Sequence, residues 1–423
     1  MKAIIQPLKG TRDFYPPEMA VRKWLYEHIQ KVSESFGYQE WEGPYLERVE
    51  LYAAKSSDEL VKQQSFAFED RGGEMITLRP ELTPTLARMV AQKQNELAFP
   101  LRWWSYGPFW RYERPQKGRT REFFQWNIDL IGVSNPVVDT ELVAVAARFF
   151  QQVGLKPDQA GIFINDRRMM NAELEKRGIP TGQIQTALRV IDHKKKMAQE
   201  AWEAYALESG LTKVQLKVIK EILTEETLWK RSETLTSMLE IIKNLEVKDY
   251  IKFDPQIIRG LDYYTGMVFE GFDLGEEGRA ILGGGHYDNL VAAVGGQTLP
   301  GVGFAMGDVV LGQVLEKYSC IPTEIKTETV LVTVFNEEYL VKSTLLACQL
   351  REMGIRVAVY PEAAKLDKQF KYADRNGYRL AVVFGPDEEK DGMVMLKDLK
   401  EHEQEKISIT GMAARYFRIL EKH

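Results

Sequence analysis

At roughly 150 residues per domain, the 423 residues predict two to three domains and exclude a single small module. A composition of 44% hydrophobic, 28% charged and 11% aromatic residues supplies a sizeable core and excludes disorder along the whole length. With 56 Lys and Arg against 61 Asp and Glu, the net charge of -5 excludes a surface that is basic throughout, while leaving local basic patches open.

Residues 18–36 place Val21, Trp24, Leu25, Ile29, Val32 and Phe36 at helical spacing, and Gly37 follows as the type that ends helices in the left-handed conformation, so an amphipathic helix is predicted. Residues 38–41 read as a strand stopped by Gly43 and Pro44. Residues 77–81, 101–111 and 123–132 are further extended segments, and together they predict a mixed or antiparallel sheet. Between 166 and 248 the two-residue alternation gives way to apolar residues three and four apart, such as Leu216, Ile219 and Leu223, then Leu235, Met238, Leu239 and Ile242. A helical insertion of roughly 80 residues is predicted. Extended, Gly-rich sequence over 251–307, with Gly283-Gly284-Gly285 and Gly295-Gly296, suggests a return to the first sheet. Residues 318–326 read as a linker. Beyond them, strands at 329–335, 355–360, 379–384 and 393–397 alternate with helices at 339–353 and 366–376, the pattern of a small three-layer α/β domain.

Two cysteines, Cys320 and Cys348, lack metal-ligand spacing, and the five histidines (His28, His193, His286, His402, His423) show no paired spacing. No disulfide framework and no metal site are expected. No run of about 18 apolar residues and no leader-like N-terminus occurs, which makes a cytoplasmic protein without a membrane segment the expectation.

Strand alternation over 123–130 sends Gln125, Asn127 and Asp129 one way and Trp126, Ile128 and Leu130 the other. Thr77, Arg79 and Glu81 also share a parity, with Thr83 just beyond. Two such polar faces make a floor for a small zwitterion, or else a wetted surface with salt bridges. Arg111, Arg114, Lys117, Arg119 and Arg121 crowd a predicted hairpin tip against Glu113. Like charges repel unless an anion is present, so the tip suits a phosphate-rich ligand, a solvated basic loop being the other reading. Arg259 to Gly266 sets Arg, Asp and two tyrosines beside glycines and reads as a pocket wall or as amphipathic core aromatics. The glycine triplet contains neither GxGxxG nor GxxxxGK[ST], so no dinucleotide or P-loop site is supported.

Gly37-Tyr38, Trp41 and Pro44 resemble motif 1 of the class II aminoacyl-tRNA synthetases, Phe109-Trp110-Arg111-Tyr112-Glu113 resembles motif 2, and residues 301–307 resemble part of motif 3. Within that class, Leu8-Lys9-Gly10-Thr11-Arg12-Asp13, Leu78-Arg79-Pro80-Glu81, Glu113-Arg114-Pro115-Gln116-Lys117-Gly118-Arg119 and Arg259-Gly260-Leu261-Asp262-Tyr263-Tyr264 are similar to segments of the histidyl-tRNA synthetases. The resemblance covers nearly the whole chain and is most specific in the last two segments.

It implies an α+β fold: a class II antiparallel-sheet catalytic domain over 1–165 and 249–317, a helical insertion over 166–248, and a C-terminal α/β anticodon-binding domain over 328–423, in a homodimer whose interface includes the motif 1 helix. The implied activity, part of protein biosynthesis, joins histidine to ATP with Mg2+, releases pyrophosphate, and passes the histidyl group to the 3′ end of tRNA(His). The resemblance assigns Glu81, Thr83 and Gln125 to the substrate amino group, Asp129 and Tyr264 to the imidazole, and Tyr263 to the histidine site. Arg111 and Arg259 are the implied catalytic clamp on the α-phosphate, with Glu113 at the ATP site, Arg119 on the distal phosphates and Phe123 on adenine; Pro115, Gln116 and Lys117 would meet the tRNA acceptor end. These residue types suit the chemistry, because carboxylate attack on phosphorus builds charge on phosphate oxygens that rigid guanidinium forks stabilise. Selecting histidine needs groups that pair with both imidazole nitrogens.

Two positions depart from the family pattern. Val310 stands where motif 3 usually ends in an ATP-stacking arginine, and His286 stands where arginine is usual. Both favour the alternative of a non-ligating paralogue resembling the regulatory subunit of ATP phosphoribosyltransferase. The retained Arg111, Arg119 and Arg259 and the C-terminal domain favour the ligase.

Overall fold

The apolar spacing of the first predicted helix produces α1 (Pro16–Ser35), which buries Leu25, Ile29 and Val32 and stops where Gly37 adopts φ +80°. The computed structural model of the chain describes residues 4–53, 64–116, 118–259, 263–276, 278–322 and 327–421. The chain divides into two units, Met1–Pro322 and Thr323–His423.

The first unit is built on an eight-stranded sheet. Its strands in chain order are β1 (Gln39–Glu40), β5 (Leu101–Trp110), β6 (Glu122–Ile131), β7 (Ala160–Asp166), β8 (Ile251–Phe253), β9 (Met267–Asp273), β10 (Ala280–Tyr287) and β11 (Gly301–Gly307). A second, small sheet holds β2 (Leu46–Arg48), β3 (Phe66–Glu69) and β4 (Met75–Leu78). The large sheet runs β1-β5-β6-β11-β10-β9-β7-β8, antiparallel throughout except for the β1–β5 and β7–β8 pairs. The two long strands β5 and β6 pair from Leu101 opposite Ile131 to Trp110 opposite Glu122. Trp126, Ile128 and Leu130 of β6 are fully buried in one core with residues of α1, while the other face of β6 stays polar. The short α2 (Val49–Ala53) lies between β2 and β3, and after the small sheet come α3 (Thr83–Lys93) and α4 (Pro136–Gln152), the latter capped by Asn135, which accepts from Val137 N–H.

Between β7 and β8 the predicted helical stretch forms α5 (Arg167–Lys176), α6 (Thr181–His193), α7 (Gln199–Glu208), α8 (Lys213–Leu223) and α9 (Glu233–Ile242), and it buries Leu216, Ile219, Leu223, Leu235, Met238 and Ile242 as their spacing requires. Asp166 ties its two ends together, since its carboxylate caps α5 through Arg168 N–H and accepts from Ser232 Oγ at 2.6 Å. The unit ends with α10 (Asp308–Lys317), directly after β11.

The second unit is a five-stranded mixed sheet, with β12 (Thr327–Val332), β13 (Val357–Val359), β14 (Tyr378–Val383), β15 (Met393–Asp398) and β16 (Glu403–Ser408) in the order β13-β12-β14-β15-β16. Helices α11 (Glu337–Glu352), α12 (Leu366–Arg375), α13 (Pro386–Asp391) and α14 (Met412–Glu421) complete it. Val330 and Val332 enter one apolar cluster and Leu331 the other, so the sheet is covered on both faces as three layers demand. The sequence reading lacked α13, β16 and α14. β16 is a charged edge strand whose residues leave no apolar alternation to find.

Candidate active site

Along β6 the two-residue period aims Gln125, Asn127 and Asp129 at a cavity of about 650 Å³. Opposite them in register on β11 stand Gly307, Ala305 and Gly303, all of them small. A methyl group on Gly303 would overlap the Asp129 carboxylate, and one on Gly283 of β10 would overlap the Arg259 guanidinium. The glycines therefore do not cradle a phosphate; they clear the sheet face so that longer side chains can lie across it. Gly283→Ala is expected to displace Arg259 and abolish most activity while leaving cooperative unfolding intact. Calorimetry beside an activity assay checks this, and full activity in Gly283→Ala would refute the packing role.

Above this floor, Glu81 reaches the cavity from the turn between β4 and α3 and Thr83 from the first residue of α3, with Tyr263 and Tyr264 coming from the segment before β9, their rings 4.6 Å apart. Arg111, just past β5, donates from Nε to the Pro80 carbonyl at 2.9 Å and lies 5.2 Å over the Phe123 ring. Arg119 lines the rim and pairs with Glu113 at 3.2 Å. Arg259 holds φ +61°, unusual for a residue with a Cβ, and pairs with Glu270 of β9. Its Nε is buried with no hydrogen-bond partner among the described residues, a donor left for something else to meet. Burial alone would push its guanidinium down, but Glu270 and the two tyrosines outweigh this and leave it raised, so it stays charged. Burial pushes the Asp129 carboxyl up to about 7, opposed by the hydroxyl of Tyr287, which donates to it at 2.8 Å.

The structure gathers Glu81, Thr83, Arg111, Arg119, Gln125, Asp129, Arg259, Tyr263 and Tyr264 around this cavity. Glu113 stands behind Arg119. Phe123 lies beside the cavity, packed on Phe109 and under Arg111, not in its lining. Pro115 and Gln116 are in the hairpin tip, Gln116 exposed; Lys117 and residues 260–262 lie outside the described residues.

One expectation is corrected, and one departure from the family pattern is located. Arg79 does not belong to the polar floor: β4 ends at Leu78, and Arg79 is fully buried between Tyr45 and Phe109, paired with Glu42 and donating to the Pro108 carbonyl at 2.9 Å. A parity argument fails once the strand stops. His286 does not face the cavity either. It points to the other side of β10, where Nδ1 meets Asp139 at 2.9 Å and Nε2 meets Asp288 at 3.2 Å. Sequence reasoning did not single out Glu270, Tyr287, Asp192 or Lys196, all of which line the cavity. Tyr287 sits beside His286, and only its register on β10 reveals it. Asp192 and Lys196 come from the helical insertion, where the run Lys194-Lys195-Lys196 was the one available signal.

The family model described as histidyl-tRNA synthetase matches residues 10–308, and one described as an anticodon binding domain matches residues 329–415. The histidine–tRNA ligase of Arabidopsis thaliana named as chloroplastic/mitochondrial is 34% identical over 421 residues, covering 97% of this chain and 86% of that protein. The chain belongs to the histidyl-tRNA synthetase family. The crystal structure of histidyl-tRNA synthetase from Nostoc sp. PCC 7120 matches with a TM-score of 0.83 at 26% identity, over 99% of this chain and 100% of that one. A structure described as an ATP phosphoribosyltransferase regulatory subunit/histidyl-tRNA synthetase from Bacillus halodurans shares the fold, with a TM-score of 0.71 at 22% identity over 88% of this chain and 97% of that one. The antiparallel sheet and the second α/β unit are thus those of the histidyl-tRNA synthetase family, as the motifs implied.

Proposed function

We infer that the protein is a histidine–tRNA ligase. The observation that carries this reading is one cavity in which an acidic and amide floor meets three arginines, with a domain of the anticodon-binding family following in the same chain. The histidine carboxylate oxygen attacks the α-phosphorus of ATP, forming the acyl-phosphate bond as the bond to pyrophosphate breaks. A ribose hydroxyl at the tRNA 3′ end then attacks the activated carbonyl, and AMP leaves. No protein base is required in the first step, because the attacking carboxylate is already ionised.

In this reading Glu81, Thr83 and Gln125 take the substrate ammonium, while Asp129 and Tyr264 pair with the imidazole and Tyr263 packs alongside. Arg111 and Arg259 approach the α-phosphate from opposite walls, and the buried Nε of Arg259 supports that role. Arg119 reaches the distal phosphates with Glu113 behind it, Phe123 meets adenine from beside Arg111, and the tip residues Pro115, Gln116 and Lys117 meet the acceptor end. Mg2+ would arrive on the triphosphate, which supplies most of its ligands together with water; Glu113 and Glu270 are the carboxylates beside the arginines that could complete them. It would neutralise phosphate charge there. A homodimer through α1 belongs to the same reading, supported by a mainly apolar groove that Phe14, Met19, Tyr26 and Tyr106 line together with Arg22 and Lys23, and sedimentation reads it directly. So does a cytoplasmic location, which cell fractionation tests; no helix among the described residues is long and apolar enough to cross a membrane.

The test is exchange of labelled pyrophosphate into ATP, expected with histidine and with no other amino acid. Absence of histidine-dependent exchange would turn the assignment to the non-ligating paralogue. A chain ending at Pro322, the boundary of the first unit, is expected to keep exchange and to charge tRNA poorly. Full-efficiency charging by that truncated chain would remove the second unit from tRNA recognition.

A further inference from the structure

We propose that Arg279 joins Arg119 on ATP's distal phosphates in a chain whose motif 3 lacks its arginine, lying across helix α10 on the face that Val310 leaves open. The proposal rests on the ligase reading and adds a residue to its nucleotide site.

Arg279 immediately precedes β10, whose first residues Ala280, Ile281 and Leu282 line the cavity. Its carbonyl accepts from Asp273 N–H at 2.9 Å, which fixes the point where the side chain leaves the sheet. Nη1 then donates to Gln313 Oε1 at 3.0 Å. Gln313 lies three residues beyond Val310 on α10, so the two share a helix face, and the guanidinium is anchored along it. The third side is the hairpin. A methyl on Gly118 would lie 2.6 Å from Arg279 Nη1 and 3.5 Å from Val310 Cγ2, and Gly118 itself holds φ +78°. The hairpin backbone is therefore bare where guanidinium and valine meet it, and the next residue is Arg119, which lines the rim.

Size and charge explain the exchange of positions. A long cation at 310 would compete for the volume that Arg279 now occupies, and two guanidiniums in contact repel unless an anion lies between them. Valine removes the competitor while keeping apolar contact with the core. Arg119 lines the rim from the β5–β6 hairpin, and Arg279, the residue before β10, lies beside that hairpin at Gly118, an arrangement suited to a polyanion entering the cavity. Gln313 gives the guanidinium direction through a neutral amide.

The test is calorimetric binding of Mg·ATP, AMP and histidine to the full-length wild type, Arg279→Ala, Arg279→Lys, Gln313→Leu and the double variant Arg279→Ala/Val310→Arg, beside histidine-dependent pyrophosphate exchange. Arg279→Ala is expected to weaken ATP binding about tenfold or more, the scale of a lost charge-assisted hydrogen bond, while AMP and histidine change by less than about threefold. Arg279→Lys should retain part of the affinity, Gln313→Leu should lose a smaller part, and the double variant should recover some of the loss from the other side of the same space. Unchanged ATP affinity in both Arg279→Ala and Gln313→Leu would overturn the proposal. Equal losses of ATP and AMP would overturn it too, because the guanidinium would then serve the hairpin's structure. If wild type bound ATP and histidine without exchange, the ligase reading would fail, and the ATP comparison would still decide the Arg279 contact.

Discussion

Arg111→Ala is expected to slow histidyl-adenylate formation about 100- to 1000-fold, the scale of losing one preorganised donor to a charge that develops in the transition state. Its Nε is spent on the Pro80 carbonyl, and Phe123 supports its face, so the guanidinium is held in place before any substrate arrives. Rigidity of that kind makes it effective, since no reorganisation is needed as charge moves onto the phosphate oxygens. Arg259→Ala should fall on the same scale, with the added signature that Glu270 loses its partner in the cavity. Rapid-quench measurement of adenylate in a single turnover separates this from tRNA transfer. A change smaller than about threefold in either variant would remove that arginine from the chemical step, whatever its place in the cavity.

Asp129→Asn is expected to weaken histidine about 10- to 100-fold while ATP binding stays within about threefold, the loss of a buried hydrogen bond to a charged acceptor. The carboxyl titrates at about 7 because burial disfavours its charge, with Tyr287 pulling partly the other way. Above about pH 7 it is ionised and accepts from the imidazole N–H. As the pH falls through 7 it gains a proton, and the histidine KM of the wild type should rise in a step that Asp129→Asn lacks. Stability moves in the opposite sense. A carboxyl raised from 3.8 to about 7 on folding gives a contribution fully present below about pH 4 and lost as the pH rises through about 7, so Asp129→Asn should raise the melting temperature of the ligand-free protein more at pH 8 than at pH 5. A pH-independent histidine KM in the wild type, together with unaltered affinity in Asp129→Asn, would assign this carboxyl to structure alone.

Local pattern by itself determined the first helix and the polar strand of the site. The spacing of Leu25, Ile29 and Val32 sufficed for α1, and the alternation of Gln125, Asn127 and Asp129 against Trp126, Ile128 and Leu130 sufficed to name the polar face of β6, because both depend only on the fixed periods of helix and strand. The cationic hairpin was equally legible, as five positive residues in eleven positions are a property of the sequence. What lies across from those elements was decided by tertiary structure. Arg79 carries the same parity as Glu81, yet a strand that ends one residue earlier turns it into a buried partner of Glu42. Tyr287 reaches Asp129 only because β10 and β6 flank β11 in the sheet, residues separated by 158 positions in the chain. His286, a departure from the family pattern, is aimed by its register on β10 at Asp139 on the side away from the cavity. Arg279 and Val310, 31 positions apart, both come up against Gly118 through the pairing of β10 with β11 and the helix that follows. Register and strand order place side chains from distant segments face to face, and neither is written in the period of any one segment.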